Sequence, residues 1–184
     1  MGTIPTFPTF ADGEIPNAAK LNQMKTASDF WALTPRCSVF PSAPQTLSHT
    51  VWGLIGFNSE VYDIVQSGDT PSHDTATNNS RLIVRTAGKY EIAAQVQFAT
   101  SGTGQRDAQI RLNAGGSSSS GTLITLNQQS AVGSGSTSVA ITPVEIALAA
   151  GDYIEIFARQ NSGGALDTVP GSGITFLRFK LTGS

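Results

Sequence analysis

The nine residues from Tyr90 to Phe98 constrain this chain more than any other stretch. Tyr90, Ile92, Ala94, Val96 and Phe98 are apolar, and three of the four residues between them are Glu or Gln. A period of two buries one face of a strand and leaves the other to water. The pattern recurs on both sides. Leu82 and Val84 alternate with Arg81, Ile83 and Arg85, and Ala87-Gly88 reads as the turn into the main strand. Ala108, Ile110 and Leu112 alternate with Gln109, Arg111 and Asn113, and Val144, Ile146 and Leu148 alternate with Glu145 and Ala147. After the turn signal Ala150-Gly151-Asp152 comes a β-branched and aromatic run, Tyr153 to Arg159. The chain closes on Leu177-Arg178-Phe179-Lys180-Leu181, apolar on one face and cationic on the other. Gly- and Ser-rich connections join these segments, and strands resume after each at short spacing. The expectation is an all-β sandwich or jelly roll over residues 36–184.

Residues 1–35 read differently. Pro5-Thr6-Phe7-Pro8-Thr9-Phe10 is an extended arm, because each proline fixes its own φ and pushes the preceding residue out of the helical region. Asp12-Gly13-Glu14 follows as a turn. Asn17 is placed to cap a helix over about 18–33, and Pro35 stops it. Leu21, Met24, Ala27 and Trp31 fall near one stripe at three- and four-residue spacing. A helix this short is not stable alone. It must lie against its own domain, sister copies or another protein.

Composition excludes several classes of function. Only 13% of the 184 residues are charged, about half the usual ~25%. Eleven scattered Lys and Arg make no basic face for nucleic acid. Cys37 is alone, so there is no disulfide framework, and it reads as a small buried apolar residue. Two histidines, His49 and His73, make no zinc cluster. No apolar run is long enough to insert into a membrane. Ser72-His73-Asp74 has the letters of a hydrolase triad, but side chains of adjacent residues diverge. His73 is therefore expected to be a solvated loop residue. No element suggests a cofactor, and the chain is read as non-enzymatic.

The order of motifs in the β zone resembles the globular jelly-roll domain shared by the first complement component and the tumour necrosis factor superfamily. The resemblance is carried by Trp52 to Asp63 (WGLIGFNSEVYD), Leu82 to Phe98 (LIVRTAGKYEIAAQVQF), Ile110 to Asn113, Leu148 to Ile154 (LAAGDYI) and the closing strand Phe176 to Leu181, which lacks the family's glycine. Phe10 to Asn22 (FADGEIPNAAKLN) resembles the start of many bacteriophage minor structural proteins, in which an extended segment and short helix precede a β domain. Arg36 to Phe40 and Asn79 to Leu82 are similar to further elements of tail or head-fibre proteins. Together these resemblances imply a homotrimeric component of the virion surface, assembled in the host cytoplasm. Its anchor to capsid or tail proteins would be residues 1–35, with Phe7, Phe10, Leu21, Met24 and Trp31 as contacts. The alternative is a capsid decoration or head-fibre protein that stabilises the particle.

The strand pattern bears on the trimer independently. Tyr153 and Phe157 oppose Ile154 and Ile156, so one apolar face fills the sandwich and the other needs cover. Sister copies about a threefold axis would cover it, or the helix of the same chain would. Loops rich in Ser, Asn, Gln and Gly suit shallow polar recognition, such as a host cell-surface glycan, and they equally suit solvated spacers. The candidate ligand residues are His73, Asp74, Asn78, Gln105 and Asn161. Relatives of this fold sometimes hold calcium, for which Asp63, Asp69, Asp74 and Asp107 could supply oxygens, against a reading as solvated surface charges.

Overall fold

The computed structural model describes residues 2–184; Met1, the first residue of the N-terminal zone, lies outside them. Among the described residues one helix, α1 (Ala18–Ala32), precedes twelve strands: β1 (Arg36–Phe40), β2 (Thr46–Leu47), β3 (Gly53–Leu54), β4 (Ser59–Ile64), β5 (Leu82–Ile83), β6 (Gly88–Phe98), β7 (Gln105–Leu112), β8 (Thr122–Ser130), β9 (Thr137–Leu148), β10 (Tyr153–Gln160), β11 (Leu166–Asp167) and β12 (Phe176–Gly183). The first sheet runs β4-β1-β12-β6-β9 and the second β3-β10-β7-β8, with β5 also on β10. All the named strand pairs are antiparallel.

The alternation predicted for β6 is observed. Tyr90, Ile92, Val96 and Phe98 are buried in a core shared with Val39, Phe57, Ile110, Ile154, Ile156, Leu177 and Phe179. One expected hairpin is absent: Leu82-Ile83 pairs with Ile154-Tyr153 on β10, not with β6. Ala87-Gly88 is instead a crossing between sheets. Gly88 sits at φ 159, with the Leu181 side chain and the Gly183 carbonyl where a Cβ would go, so close approach rather than turning fixes the residue there.

Antiparallel pairing gives the sandwich two ends. The base gathers the start of β1, the end of β12 and the segments 84–87 and 149–152. The tip gathers the connections 99–104, 131–136 and 161–164. The N-terminal zone docks at the base. Gly2 bridges to Thr86 and Ile4 packs on the core. Asn17 caps α1 as expected, its Oδ1 accepting from Lys20 N at 2.9 Å. The expected stripe divides. Ala27 is buried, and with Phe30 it turns inward, whereas Leu21, Met24 and Trp31 are exposed. The face that docks is Lys20, Gln23, Ala27 and Phe30. Lys20 Nζ donates to Thr9 O at 2.8 Å, Gln23 Nε2 donates to Thr6 O at 3.2 Å, and Phe30 joins the core cluster.

The outer face of β10 is also covered, by neither of the means expected. Phe157 and Glu155 are buried within the single chain. The 113–121 loop folds over them: Gly116 N donates to Glu155 Oε2 at 3.0 Å, and Gly116 lies against Leu54, whose strand pairs with Phe157. This face supplies no argument for a threefold axis.

Candidate functional site

Two regions hold the candidate ligand residues, and the fold separates them. At the tip, Gln105 begins β7 and Asn161 follows β10. Gln105 N donates to Asn161 Oδ1, and Asn161 N donates to Gln105 O at 3.2 Å. Gly104 O accepts from Ala131 N at 2.9 Å, which brings in the 131–136 loop. His49 is at the same end, its Nδ1 accepting from Gly163 N at 3.1 Å. The tip loops 99–104, 131–136 and 161–164 contain no charged residue.

Beneath them lies Arg106, a residue that sequence reading missed. It is fully buried, and among the described residues no carboxylate forms an ion pair with it. Its Nη1 donates to the carbonyls of Thr103 and Gln105 and its Nη2 to that of Ser101, each at 3.0 Å, and its guanidinium lies 5.7 Å from the Phe98 ring centre. Burial pulls its pKa down. Three backbone carbonyls stand where a counter-ion would, so the tip loop is held from below.

His73, Asp74 and Asn78 belong to a strap, residues 66–80, that closes the gap between β4 and the second sheet. His73 corrects the expectation of a solvated residue: it is 4% exposed. Its Nδ1 lies 2.8 Å from Glu60 Oε1 and its Nε2 lies 3.0 Å from Asn79 O. Both ring nitrogens are thereby engaged, and neither meets Ser72 or Asp74, so the adjacent triad letters form no catalytic constellation. Asp74 Oδ1 accepts from Ala76 N and Thr77 N, which hold its carboxyl below the ordinary range. Asn78 is exposed, with φ 52. Asp63 Oδ2 accepts from His73 N at 2.9 Å, and burial raises the Asp63 pKa. Cys37 is buried as expected, and burial beside Asp63 and Glu60 pushes its thiol pKa up.

Between strap and sandwich runs an open cleft of about 560 Å³, lined by Glu60, Asp63, Thr70, His73, Asp74 and Arg85 among others. The four carboxylates considered for calcium do not converge: Asp107 is on β7, paired with Arg159 Nη2 at 2.7 Å. Among the described residues no group of three or more His, Cys, Asp or Glu is arranged to hold a metal ion. No helix among them is long and apolar enough to cross a membrane.

The proposed anchor residues are all at least partly open. Phe7, Phe10, Leu21, Met24 and Trp31 are among the exposed large apolar side chains, and Ile15, which sequence reading did not single out, is the most exposed at 88%. Others lie on the sandwich, Val61 and Tyr62 on β4 and Leu123 and Leu126 on β8, and Val132 lies in the 131–136 tip loop.

No family model matches the chain, and no curated protein matches it in sequence. Solved structures match it in fold. Murine APRIL at pH 5.0 superposes with a TM-score of 0.59 at 13% identity, covering 81% of this chain and 99% of that one. Eiger TNF from S. frugiperda gives 0.57 at 13% identity, covering 82% and 94%. The globular domain of zebrafish complement 1qA protein gives 0.52 at 12% identity, covering 82% and 99%. At such identities the likeness concerns architecture: the chain has the jelly-roll fold of tumour necrosis factor and complement globular domains.

Proposed function

We propose that this chain is the protomer of a trimeric, non-enzymatic bacteriophage virion-surface protein, a short fibre or spike. Its N-terminal zone binds other virion proteins, and its tip loops contact a host-surface glycan. One observation carries the reading: the two ends of the molecule differ in chemistry. The base exposes Phe7, Phe10, Ile15, Leu21, Met24 and Trp31, the kind of apolar surface that marks a protein interface. The tip exposes uncharged Ser, Gly and Asn loops on a rigid scaffold, a surface suited to neutral polar ligands. The trimer is the assembly that the jelly-roll resemblance implies, and Val61, Tyr62, Leu123 and Leu126 give the sandwich apolar surface for it. Of the candidate ligand residues, Gln105 and Asn161 lie at the end away from the anchor. His73, Asp74 and Asn78 belong to the lateral strap, and His73 is committed to holding it.

A second reading, a capsid decoration or head-fibre protein, is favoured by the tip loops themselves. None of 99–104, 131–136 or 161–164 carries an aromatic side chain on which a sugar ring could stack. Imaging of particles with full-length protein and with a variant lacking residues 1–33 tests the anchor. Decoration by full-length protein alone is expected, and decoration by the truncated protein would refute it. Purified protein that binds host cells and competes with infection supports adhesion; failure of both leaves decoration. A monomer by light scattering sinks the trimer.

A further inference from the structure

We propose that the Leu21–Met24–Ser28–Trp31 face of α1 is a seam on which three copies of this chain meet at the base of the trimer. The inference rests on the trimeric reading above and narrows the anchor to the arm.

The spacing of these four residues is three, four and three, the core pattern of two successive heptads, with Leu21 and Ser28 at one core position and Met24 and Trp31 at the other. Leu21, Met24 and Trp31 are 52%, 38% and 36% exposed, while Ala27 and Phe30 on the docked face are 0% and 4% exposed. Each seam residue follows a docked-face residue by one position, about 100° round the helix. The arm therefore occupies one side of α1 and leaves the seam uncovered. Phe7 and Phe10 belong to the arm on the docked side, where Lys20 Nζ lies 5.0 Å from the Phe10 ring centre.

Charge favours an identical partner. The helix carries only Lys20, Lys25 and Asp29. Lys20 is paired with Glu14, and Lys25 Nζ lies 2.5 Å from Asp29 Oδ2. Each cation is neutralised within its own chain, so like faces approach without net repulsion. Area sets the seam's place in the assembly. A stable interface buries about 800 Å² per partner, and four residues on two heptads supply only part of that. The seam thus extends the contact between sandwiches. Only Leu33, Thr34 and Pro35 separate α1 from β1, and Leu181 N donates to Pro35 O at 2.9 Å, so the seam is carried rigidly with the sandwich.

The test uses the full chain. Met24→Cys under mild oxidation is expected to give covalent dimers within the trimer. Thr26→Cys, on the opposite side of the helix, is expected to give none, and buried Cys37 stays out of the reaction. Independently, Leu21→Asp is expected to raise the concentration at which trimers dissociate at least tenfold, with circular dichroism unchanged. A wild-type trimer in which Met24→Cys fails to cross-link and Leu21→Asp dissociates normally overturns the seam and leaves the trimer standing. A wild-type monomer overturns both.

Discussion

Replacing Arg106 by Met and by Lys will produce an order of stability opposite to that expected from charge conservation. The guanidinium is fully buried and spans three carbonyls, those of Ser101, Thr103 and Gln105. A hydrogen bond from a charged donor contributes about 1.5–3 kcal/mol, while a buried ion costs several kcal/mol of hydration. The two nearly offset. Met removes both and keeps most of the volume, and the freed carbonyls belong to exposed or half-exposed loop residues that water can reach. A loss of about 1–2 kcal/mol follows, or roughly 2–8 °C in Tm for a chain of this size. Lys keeps the buried charge but cannot fork across three acceptors, so it loses hydrogen bonds without recovering hydration. Its expected loss is about 3 kcal/mol. Urea unfolding ranks the variants, and hydrogen exchange of residues 99–105 reads the loop, which should lose protection in both. A Lys variant as stable as wild type, or a Met variant several kcal/mol worse than Lys, would refute the reasoning.

Three further outcomes follow from buried polar groups. Glu155 is 0% exposed and is held by Arg81 Nε at 3.0 Å, Ser80 and Gly116 N, so Glu155→Ala should cost about 3–5 kcal/mol in urea unfolding. His73→Ala removes both ring contacts of the strap; a loss of about 2–4 kcal/mol is expected, with faster exchange across residues 66–80. The folded-state pKa of Asp63 is raised by burial above the unfolded carboxylate value, so between the two values folding takes up a proton; this residue's contribution is fully present below the unfolded value and is lost as pH rises through the folded one. Asp63→Asn keeps an oxygen for His73 N–H, so its Tm relative to wild type should be higher at pH 7 than at pH 4; equal differences at the two values would remove the argument.

The fold was largely legible because its signal is periodic. The alternation in β6, the Asn17 cap and the Pro35 stop each depend on a few neighbouring residues, and each appears where local chemistry puts it. Three things were not legible, for one reason: they depend on what lies across from a residue. The partners of Leu82 and Ile83 are 72 and 70 positions away on β10, and proximity in sequence suggested β6 instead. Helical spacing grouped Ala27 with Leu21, Met24 and Trp31, but the arm and core cover a face one position earlier. Arg106, Glu155 and His73 have residue types that usually face water. Their burial is possible only because partners meet them: the loop carbonyls of Ser101, Thr103 and Gln105 for Arg106, donors from Ser80, Arg81 and Gly116 for Glu155, and Glu60 with the Asn79 carbonyl for His73. The candidate ligand residues were chosen by composition, which cannot distinguish a tip loop from a lateral strap.

The route of the chain into the sandwich has a mechanical consequence. The N-terminal zone leads straight into β1, which lies inside the first sheet between β4 and β12. Ladder hydrogen bonds in antiparallel pairs stand perpendicular to the strands. A pull on the base along β1 therefore loads the bonds to both neighbours at once, in shear, and cannot unzip them one at a time from an edge. A tether at this end would transmit tension to the tip without peeling the sheet.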